Sequence, residues 1–327
     1  NLGNILDFEN LTKDNIYVLE SPILSNSQYE KFMDFFRDSI KILDCTFNVQ
    51  NNLKENLNQL SSEAETAVRE GYKHLILSDK QLSENRAAIP MILAFGAINS
   101  KLVNLGIRGF VSINVQTGEV LDTHSFAVLL GAGATTINPY LAFDSIYQRY
   151  EKKLFGKLNY EECVRQYIKS VDNGLLKIMS KMGISVLSAY RGGCNFETVG
   201  LSRAVVAEYF PGMISRISGI GIFGIEKKIK ELHKKAFQKN VSILPIGGIY
   251  KYRKNGESHQ YQGQLIHMLQ HAVTVNSYET YQKYAQGIYN LPLINLRDLL
   301  IFKSPRKSID INEVELETSL RKRFGSG

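Results

Sequence analysis

Several features of other protein classes are scarce or missing in this chain of 327 residues. Its three cysteines, at positions 45, 163 and 194, are far apart and leave one unpaired in any disulfide scheme, which favours a reducing, intracellular compartment. Cys194 is expected to be a small buried side chain rather than a reactive thiol. No stretch reaches the ~18 consecutive apolar residues of a membrane span, and no signal sequence is present. We therefore expect a soluble protein with no membrane partner, and the start at Asn1 suggests a piece of something longer.

Spacing between polar residues gives no complete catalytic or metal site. His267 and His271 have the i, i+4 spacing of zinc ligands, but no glutamate follows His267 and no third ligand is identifiable. Asp122 and His124 are close in sequence, yet near neighbours on a helix point in different directions, so they do not form a triad with a serine. Glu197 is predicted to lie in a first helical turn, where a carboxylate complements the helix dipole.

The most distinctive stretch runs from 188 to 202 and contains Tyr190, Arg191 and the pair Gly192–Gly193. The apolar run 184–187 before it predicts a buried parallel strand, and the residues after it predict a helix. Neither GxGxxG nor GxxxxGK[ST] begins at this turn, so the two best-specified nucleotide fingerprints are missing there. The glycine pair fits a tight strand-to-helix turn or a backbone cradle for a phosphate.

Positive charge is concentrated in one segment. Between Ile225 and Lys254 there are nine basic and two acidic residues, which accounts for the whole formal charge of +7. Such a patch can attract nucleic acid or an acidic partner. However, the charges alternate with apolar residues at helical spacing, and no recognised nucleic-acid module surrounds them. We predict the solvated face of an amphipathic helix and no nucleic-acid partner.

Alternation of strands and helices predicts the fold class. Four apolar runs are strand candidates: 42–49, 74–77, 110–115 and 135–139. A segment with helical apolar spacing follows each, which implies right-handed βαβ crossovers. We predict an α/β protein, either a (β/α)-barrel or an incomplete barrel with parallel strands and surrounding helices. Four polar residues that follow strands should then gather at one rim: Asp79, Gln116, Asn138 and Arg191.

Other segments carry simpler predictions. Residues 16–22 are predicted to form an extended lead-in rather than a core strand. Ser25 should cap a helix that covers 27–40, because serine side chains accept from free amides at helix starts. The glycine- and serine-rich segment 212–224 is predicted to be a loop, and 303–312 a linker.

Four sequence blocks resemble the central region of glutamate synthase large subunits, and they follow the family's order along nearly the whole chain. They are LESPIL at 19–24, GAGATTINPYLAFD at 131–144, SAYRGGCNFETVGLS at 188–202 and LRDLL at 296–300. The resemblance implies a central α/β domain, related to a barrel, between a glutaminase domain and an FMN-binding synthase domain. It divides the chain into a lead-in from the glutaminase domain, the central domain, and a linker with the start of the synthase domain, at 1–26, 27–302 and 303–327.

The resemblance also implies the chemistry of a parent enzyme. Glutamate synthases take ammonia from glutamine and deliver it to 2-oxoglutarate, using FMN and a [3Fe–4S] cluster. This chain has neither the family's N-terminal nucleophilic cysteine nor the closely spaced cysteine trio of that cluster. The segment itself is therefore expected to bind no cofactor and to lack a complete active site. Ferredoxin or an NAD(P)H-oxidising small subunit is implied as a partner of the parent, in the cytoplasm or the plastid stroma.

Family members place the ammonia passage near the lead-in to this domain. Ser21, Pro22 and Ser25 are therefore candidates to line or neighbour the passage, with a simple capped turn as the alternative. A second set of candidates is expected at an interdomain contact: Arg191, Gly192 and Gly193. The alternative function is a stand-alone barrel enzyme that binds a phosphorylated ligand at the glycine pair.

Overall fold

The computed structural model describes residues 17–193, 195–238, 246–301, 303 and 307–324. The chain divides into two compact units, Asn1–Lys239 and Asn240–Gly327. None of the helices in the described part of the chain combines the length and apolar character needed to cross a membrane.

The first unit contains all the strands of the described residues. They are β1 (Ile40–Asp44), β2 (Thr46–Asn48), β3 (His74–Ser78), β4 (Arg86–Ala88), β5 (Ser112–Gln116), β6 (Ile137–Asn138), β7 (Glu197–Leu201) and β8 (Ile214–Ile220). The central sheet is parallel and has the order β1-β3-β5-β6, while β2 and β4 form an antiparallel ribbon and β7 and β8 a parallel pair. This arrangement confirms the α/β prediction and is compatible with an incomplete barrel.

Helices connect the strands in the way that a parallel sheet requires. Those of the first unit are α1 (Asn26–Phe36), α2 (Leu53–Arg69), α3 (Met91–Asn104), α4 (Thr123–Ala132), α5 (Tyr140–Glu151), α6 (Tyr160–Lys181), α7 (Leu187–Tyr190), α8 (Arg203–Tyr209) and α9 (Ile222–Ala236). Those of the second unit are α10 (Gly263–Thr274), α11 (Tyr278–Tyr289) and α12 (Glu317–Phe324). In the second unit α10 packs closely on α11, since a Cβ added at Gly287 would lie 2.4 Å from the Leu265 side chain.

The two faces of the central sheet follow the two-residue period of a strand. Leu75 and Leu77 of β3 belong to the main core, which includes apolar side chains of α2, α3 and α4. Ile76, between them, packs in a smaller cluster with Phe32 and Phe36 of α1. Helices therefore cover both faces of β3, all five residues of which are buried as expected of a central parallel strand, whereas the edge strand β1 is partly exposed.

The lead-in contributes directly to the sheet. The Ile137 amide donates to the Pro22 carbonyl at 2.8 Å, and the Leu24 amide donates to the Ile137 carbonyl at 2.9 Å. Ile23 and Leu24 are almost completely buried. Residues 22–24 thus run parallel to β6 and form an isolated β-bridge with it at Ile23, so the predicted lead-in ends inside the core.

The predicted buried strand at 184–187 is wrong. Val186 is 53% exposed, and the chain turns at Leu187 into the short helix α7. At one edge of the sheet, the outer side of β6 is paired with residues 22–24 and not with this run. The run 184–187 has the local pattern of a strand, but the segment that pairs with β6 is 22–24, which is far away in sequence.

Two further predictions fail around the β7–β8 pair. Glu197 begins β7 rather than a helix, and most of 212–224 forms β8 rather than a loop. A Cβ added at Gly219 would lie 2.0 Å from the carbonyl oxygen of Gly200, so glycine is needed there for close approach of two backbones. The glycine- and serine-rich composition of 212–224 is typical of a loop, but here a glycine allows β8 to approach β7 closely.

Candidate functional site

A row of polar side chains marks the carboxyl end of the central sheet. The Ser78 hydroxyl donates to Gln116 Oε1 at 2.9 Å, and Gln116 Nε2 donates to Asn138 Oδ1 at 3.3 Å. Asn138 Nδ2 then donates to the Leu24 carbonyl at 3.0 Å. All three side chains are buried. The row connects three strands to the lead-in and brings together the predicted rim residues Gln116 and Asn138.

Asp79 lies at the same end of the sheet. Thr117 Oγ1 donates to Asp79 Oδ2 at 2.5 Å, and the Gly118 amide donates to both carboxylate oxygens at 3.1 Å. Burial, and then the negative charge of Asp79, raises the pKa of Tyr140 above its ordinary range. The Asp79 carboxylate thus accepts hydrogen bonds that stabilise the turn after β5.

The lead-in groove is a cavity of about 800 Å³ between the lead-in, the start of α1 and the helices α5 and α6. Ser21 and Ser25 line it, together with Tyr160 and Asp172 of α6. Pro22 is not among the lining residues and instead offers its carbonyl to β6. The structure therefore brings two of the three predicted lead-in residues to one cavity.

Ser21 joins the lead-in to α6. Its hydroxyl donates to Asp172 Oδ1 at 2.8 Å and accepts from the Ile23 amide at 3.1 Å. Burial raises the pKa of Asp172, while the Ser21 hydrogen bond acts in the opposite direction by favouring the carboxylate. Burial also raises the pKa of Tyr160 at the same groove. One wall of the groove therefore presents a hydroxyl, a carboxyl group and a phenol.

Ser25 has a clear structural role at the start of α1. Its side chain accepts from the Gln28 amide at 3.2 Å, and Gln28 Oε1 accepts from the Ser25 amide at 3.0 Å. This reciprocal pair is a capping box, which satisfies two otherwise free amides of the helix end. The predicted cap is confirmed, although the helix ends at Phe36 because residues 40–44 enter the sheet as β1.

The turn after α7 is held from both ends. The Tyr190 hydroxyl donates to the Ala127 carbonyl at 3.1 Å, and this side chain is 1% exposed. The Gly192 amide donates to the Gly131 carbonyl at 2.9 Å, and the Gly193 amide to the Tyr190 carbonyl at 3.2 Å. Gly192 has φ +69°, which favours glycine. Because both glycine amides already have acceptors, neither is left to form the backbone phosphate cradle of the alternative function.

Arg191 is not at the rim predicted for it. It lies beside Arg108, His74 and Ser112, which precede or begin β3 and β5 at the amino end of the sheet. The physical reason is the docking of its turn on the last residues of α4, a helix that runs back from the carboxyl end to the amino end. The predicted gathering of Arg191 with Gln116 and Asn138 is therefore wrong.

One glycine motif was overlooked in the sequence. Residues 219–224 read GIGIFG, a match to GxGxxG, and lie where β8 ends and α9 begins. Gly219 permits the close contact with β7, and a Cβ added at Gly224 would lie 3.1 Å from Cβ of Ile220. Close packing therefore explains two of the three glycines of the motif: Gly219 between two strands and Gly224 between α9 and the end of β8.

The basic helix is confirmed as α9. Ile225 and Ile229 pack against the main core, which fixes the apolar face. Lys230 Nζ lies 2.7 Å from Glu226 Oε1 and donates to the Asn51 carbonyl at 2.9 Å. Part of the basic segment, 239–245, lies outside the described residues, as does Cys194.

No group of three or more histidine, cysteine, aspartate or glutamate side chains in the described ranges is placed to hold a metal ion. His267 and His271 lie on α10 of the second unit.

Comparisons with known proteins agree with one another. A family model described as "Glutamate synthase central domain" matches residues 1–202. The chain is 49% identical over 327 residues, 99% of its length, to the protein named "Glutamate synthase [NADPH] large chain" of Azospirillum brasilense. Over 94% of its length it is 37% identical to the protein of the same name from Bacillus subtilis. It is 36% identical to "Ferredoxin-dependent glutamate synthase, chloroplastic" of Spinacia oleracea over 99% of its length.

The matches cover only part of those proteins. The chain accounts for 22%, 20% and 21% of the three relatives, respectively. It therefore spans about a fifth of the length of the curated relatives that it matches.

Proposed function

The chain belongs to the glutamate synthase central domain family, and we propose that it is the connecting domain of a glutamate synthase large chain, an enzyme that makes L-glutamate from L-glutamine and 2-oxoglutarate. In this role it positions a glutaminase domain and an FMN-binding synthase domain and supplies part of the wall of the ammonia passage. It has no complete active site of its own. The observation that carries the proposal is the lead-in groove with its Ser21–Asp172 contact.

The attachment of the lead-in supports the positioning role. Residues 22–24 are paired with β6, and Ser21 is bonded to α6, so the segment is held by two separate elements. A domain that precedes residue 17 would then be joined to the sheet through a segment that is itself paired with β6. A freely moving linker would not transmit position in this way.

The lining of the groove supports the passage role. Ammonia is small and neutral and both donates and accepts hydrogen bonds, so a hydroxyl such as Ser21 suits it. A passage must also exclude bulk water, because water would protonate ammonia at neutral pH. The groove is open on this chain, and we propose that the neighbouring glutaminase domain closes it.

The parent enzyme would carry FMN and a [3Fe–4S] cluster outside this segment. Its electrons would come from ferredoxin or from an NAD(P)H-oxidising small subunit, and the names of the relatives include both NADPH and ferredoxin-dependent forms. The compartment would be the cytoplasm, or the plastid stroma in a photosynthetic eukaryote, since the spinach relative is named chloroplastic.

Substitution at Ser25 in the full-length enzyme tests the passage. Ser25→Phe fills the groove, and we expect glutamate formed per glutamine hydrolysed to fall several-fold while glutamine hydrolysis continues. Ser25→Ala is the matched control, because it also removes the helix cap, at a cost of about 1 kcal/mol, without filling the groove. Coupling should remain normal in that control. Normal coupling in Ser25→Phe would contradict the passage role.

A further inference from the structure

A second cavity lies at the amino end of the central sheet and has a different character. This basic pocket has a volume of about 570 Å³. Its polar and charged lining residues include Lys73, His74, Arg108, Ser112 and Arg191. Three of these are cations, and no aspartate or glutamate occurs among the described residues that line the pocket. Positive charge is therefore collected there without a visible counter-charge.

Arg108 is fixed in place by neutral acceptors. Its Nε donates to Asn99 Oδ1 at 2.7 Å, and its two terminal nitrogens donate to the carbonyls of Val111 at 2.6 Å and Gly133 at 3.1 Å. Carbonyl oxygens satisfy the geometry of a guanidinium but leave its unit charge uncompensated. The arrangement holds a cation rigidly at the pocket wall.

Arg191 is the second cation, and hydrogen bonds hold the backbone on either side of it. Tyr190 and Gly192, on either side of it, are bonded to α4, so the backbone at Arg191 cannot swing away. Its Nε is buried and has no hydrogen-bond partner among the described residues. Burial, and then the positive charge of Arg191, lowers the pKa of Arg108 to about 10. Two guanidinium groups that repel each other thus share one wall.

His74 also lines the basic pocket, and its ring is largely buried. Its side chain is 5% exposed and packs on Phe36 with ring centroids 4.0 Å apart. Its Nδ1 lies 2.6 Å from Ser112 Oγ, while its Nε2 is buried without a partner among the described residues. Like the Arg191 Nε, this nitrogen is a buried polar atom without a partner among the described residues, which carries a free-energy cost.

We propose that the basic pocket binds a small oxyanion, a phosphate or a carboxylate, between Arg191 and Arg108, with Lys73 at the exposed side. An oxyanion supplies the negative charge that the wall lacks and accepts from planar guanidinium donors, which match its geometry. This site is distinct from the lead-in groove, and its existence does not depend on the passage proposed there.

The test measures anion binding by the full-length protein that contains this chain. Isothermal titration with inorganic phosphate, and separately with succinate, is carried out at constant ionic strength set with chloride. Four proteins are compared: wild type, Arg191→Gln, Lys73→Gln and Arg203→Gln. Arg203 is an exposed arginine outside the pocket and serves as the matched control. The phosphate and succinate titrations separate the two sources of an oxyanion.

We expect saturable binding of at least one anion by wild type and by Arg203→Gln. Arg191→Gln should weaken it by about tenfold or more, since a charge-assisted hydrogen bond is lost. Lys73→Gln should weaken it less, because that side chain is exposed, and it provides the test if Arg191→Gln does not fold. Absence of saturable binding by wild type overturns the proposal. Equal affinity in wild type and in the folded pocket variants overturns it as well.

Discussion

The lead-in groove and the basic pocket differ in how their charges are satisfied. In the groove, the Asp172 carboxylate accepts from Ser21, and Ser25 and Gln28 cap each other. In the pocket, Arg108 and Arg191 lie together without an acidic side chain among the described lining residues. The groove is therefore assembled from contacts within the chain, whereas the pocket is electrostatically incomplete. The polar groups of the groove thus hold segments of the chain together, whereas the guanidinium groups of the pocket carry charge that no described lining residue compensates.

The largest expected effect comes from removing the anchor of the basic pocket. Tyr190→Ala deletes a fully buried ring and its hydrogen bond to Ala127, so the free energy of unfolding should fall by about 3–5 kcal/mol. Tyr190→Phe should lose only about 1 kcal/mol, because it keeps the ring. Urea unfolding followed by circular dichroism measures both. Equal losses in the two variants would show that packing of the ring does not hold the pocket.

The next largest effect is a loss of folding stability at acid pH. Burial lowers the pKa of His74 from 6.5 to about 4, so the folded protein binds a proton less readily than the unfolded chain. Stability from this group is present above about pH 6.5 and is lost as the pH falls toward 4, by at most about 3 kcal/mol. Unfolding free energies measured across this range should show the loss in wild type, and His74→Gln should flatten the curve. An unchanged slope in His74→Gln, with the exposed His271→Gln as control, would contradict this origin.

The smallest expected effect tests the Ser21–Asp172 hydrogen bond in the lead-in groove. Ser21→Ala removes the hydroxyl from Asp172 and should cost about 1 kcal/mol at neutral pH. Because that hydrogen bond favours the ionised carboxylate, the cost should shrink once acid has protonated Asp172. The control is Ser62→Ala on the exposed side of α2, where a similar hydroxyl bonds only within its helix. A pH-independent cost would mean that Ser21 acts through packing rather than through the carboxylate.

Local signals in the sequence predicted much of the first unit. The strand at 74–77 and the helical segment after 42–49, which is α2, are both predicted from apolar spacing, and the cap at Ser25 from residue type. These features depend on nearby residues only, since periodicity and capping are properties of one element. The family resemblance, too, depended on short blocks that the chain carries in order.

Contacts between segments that are far apart in sequence explain the predictions that are wrong. The run 184–187 has strand-like residues, but the segment that pairs with the outer side of β6 is 22–24. Arg191 was assigned to the wrong end of the sheet because its position depends on a contact with α4, which the local sequence does not reveal. Neither candidate cavity could be predicted, because both combine segments that are far apart in the chain.

The polar row from Ser78 through Gln116 and Asn138 to Leu24 has a mechanical consequence. A slip of the lead-in by one residue would turn Leu24 to the opposite face and move its carbonyl away from Asn138. Tension along the lead-in pulls parallel to the strand, so the bonds to Ile137 and Asn138 resist it together in shear instead of opening one after another. A force applied along residues 22–24 would therefore be shared by three strands rather than carried by a single loop.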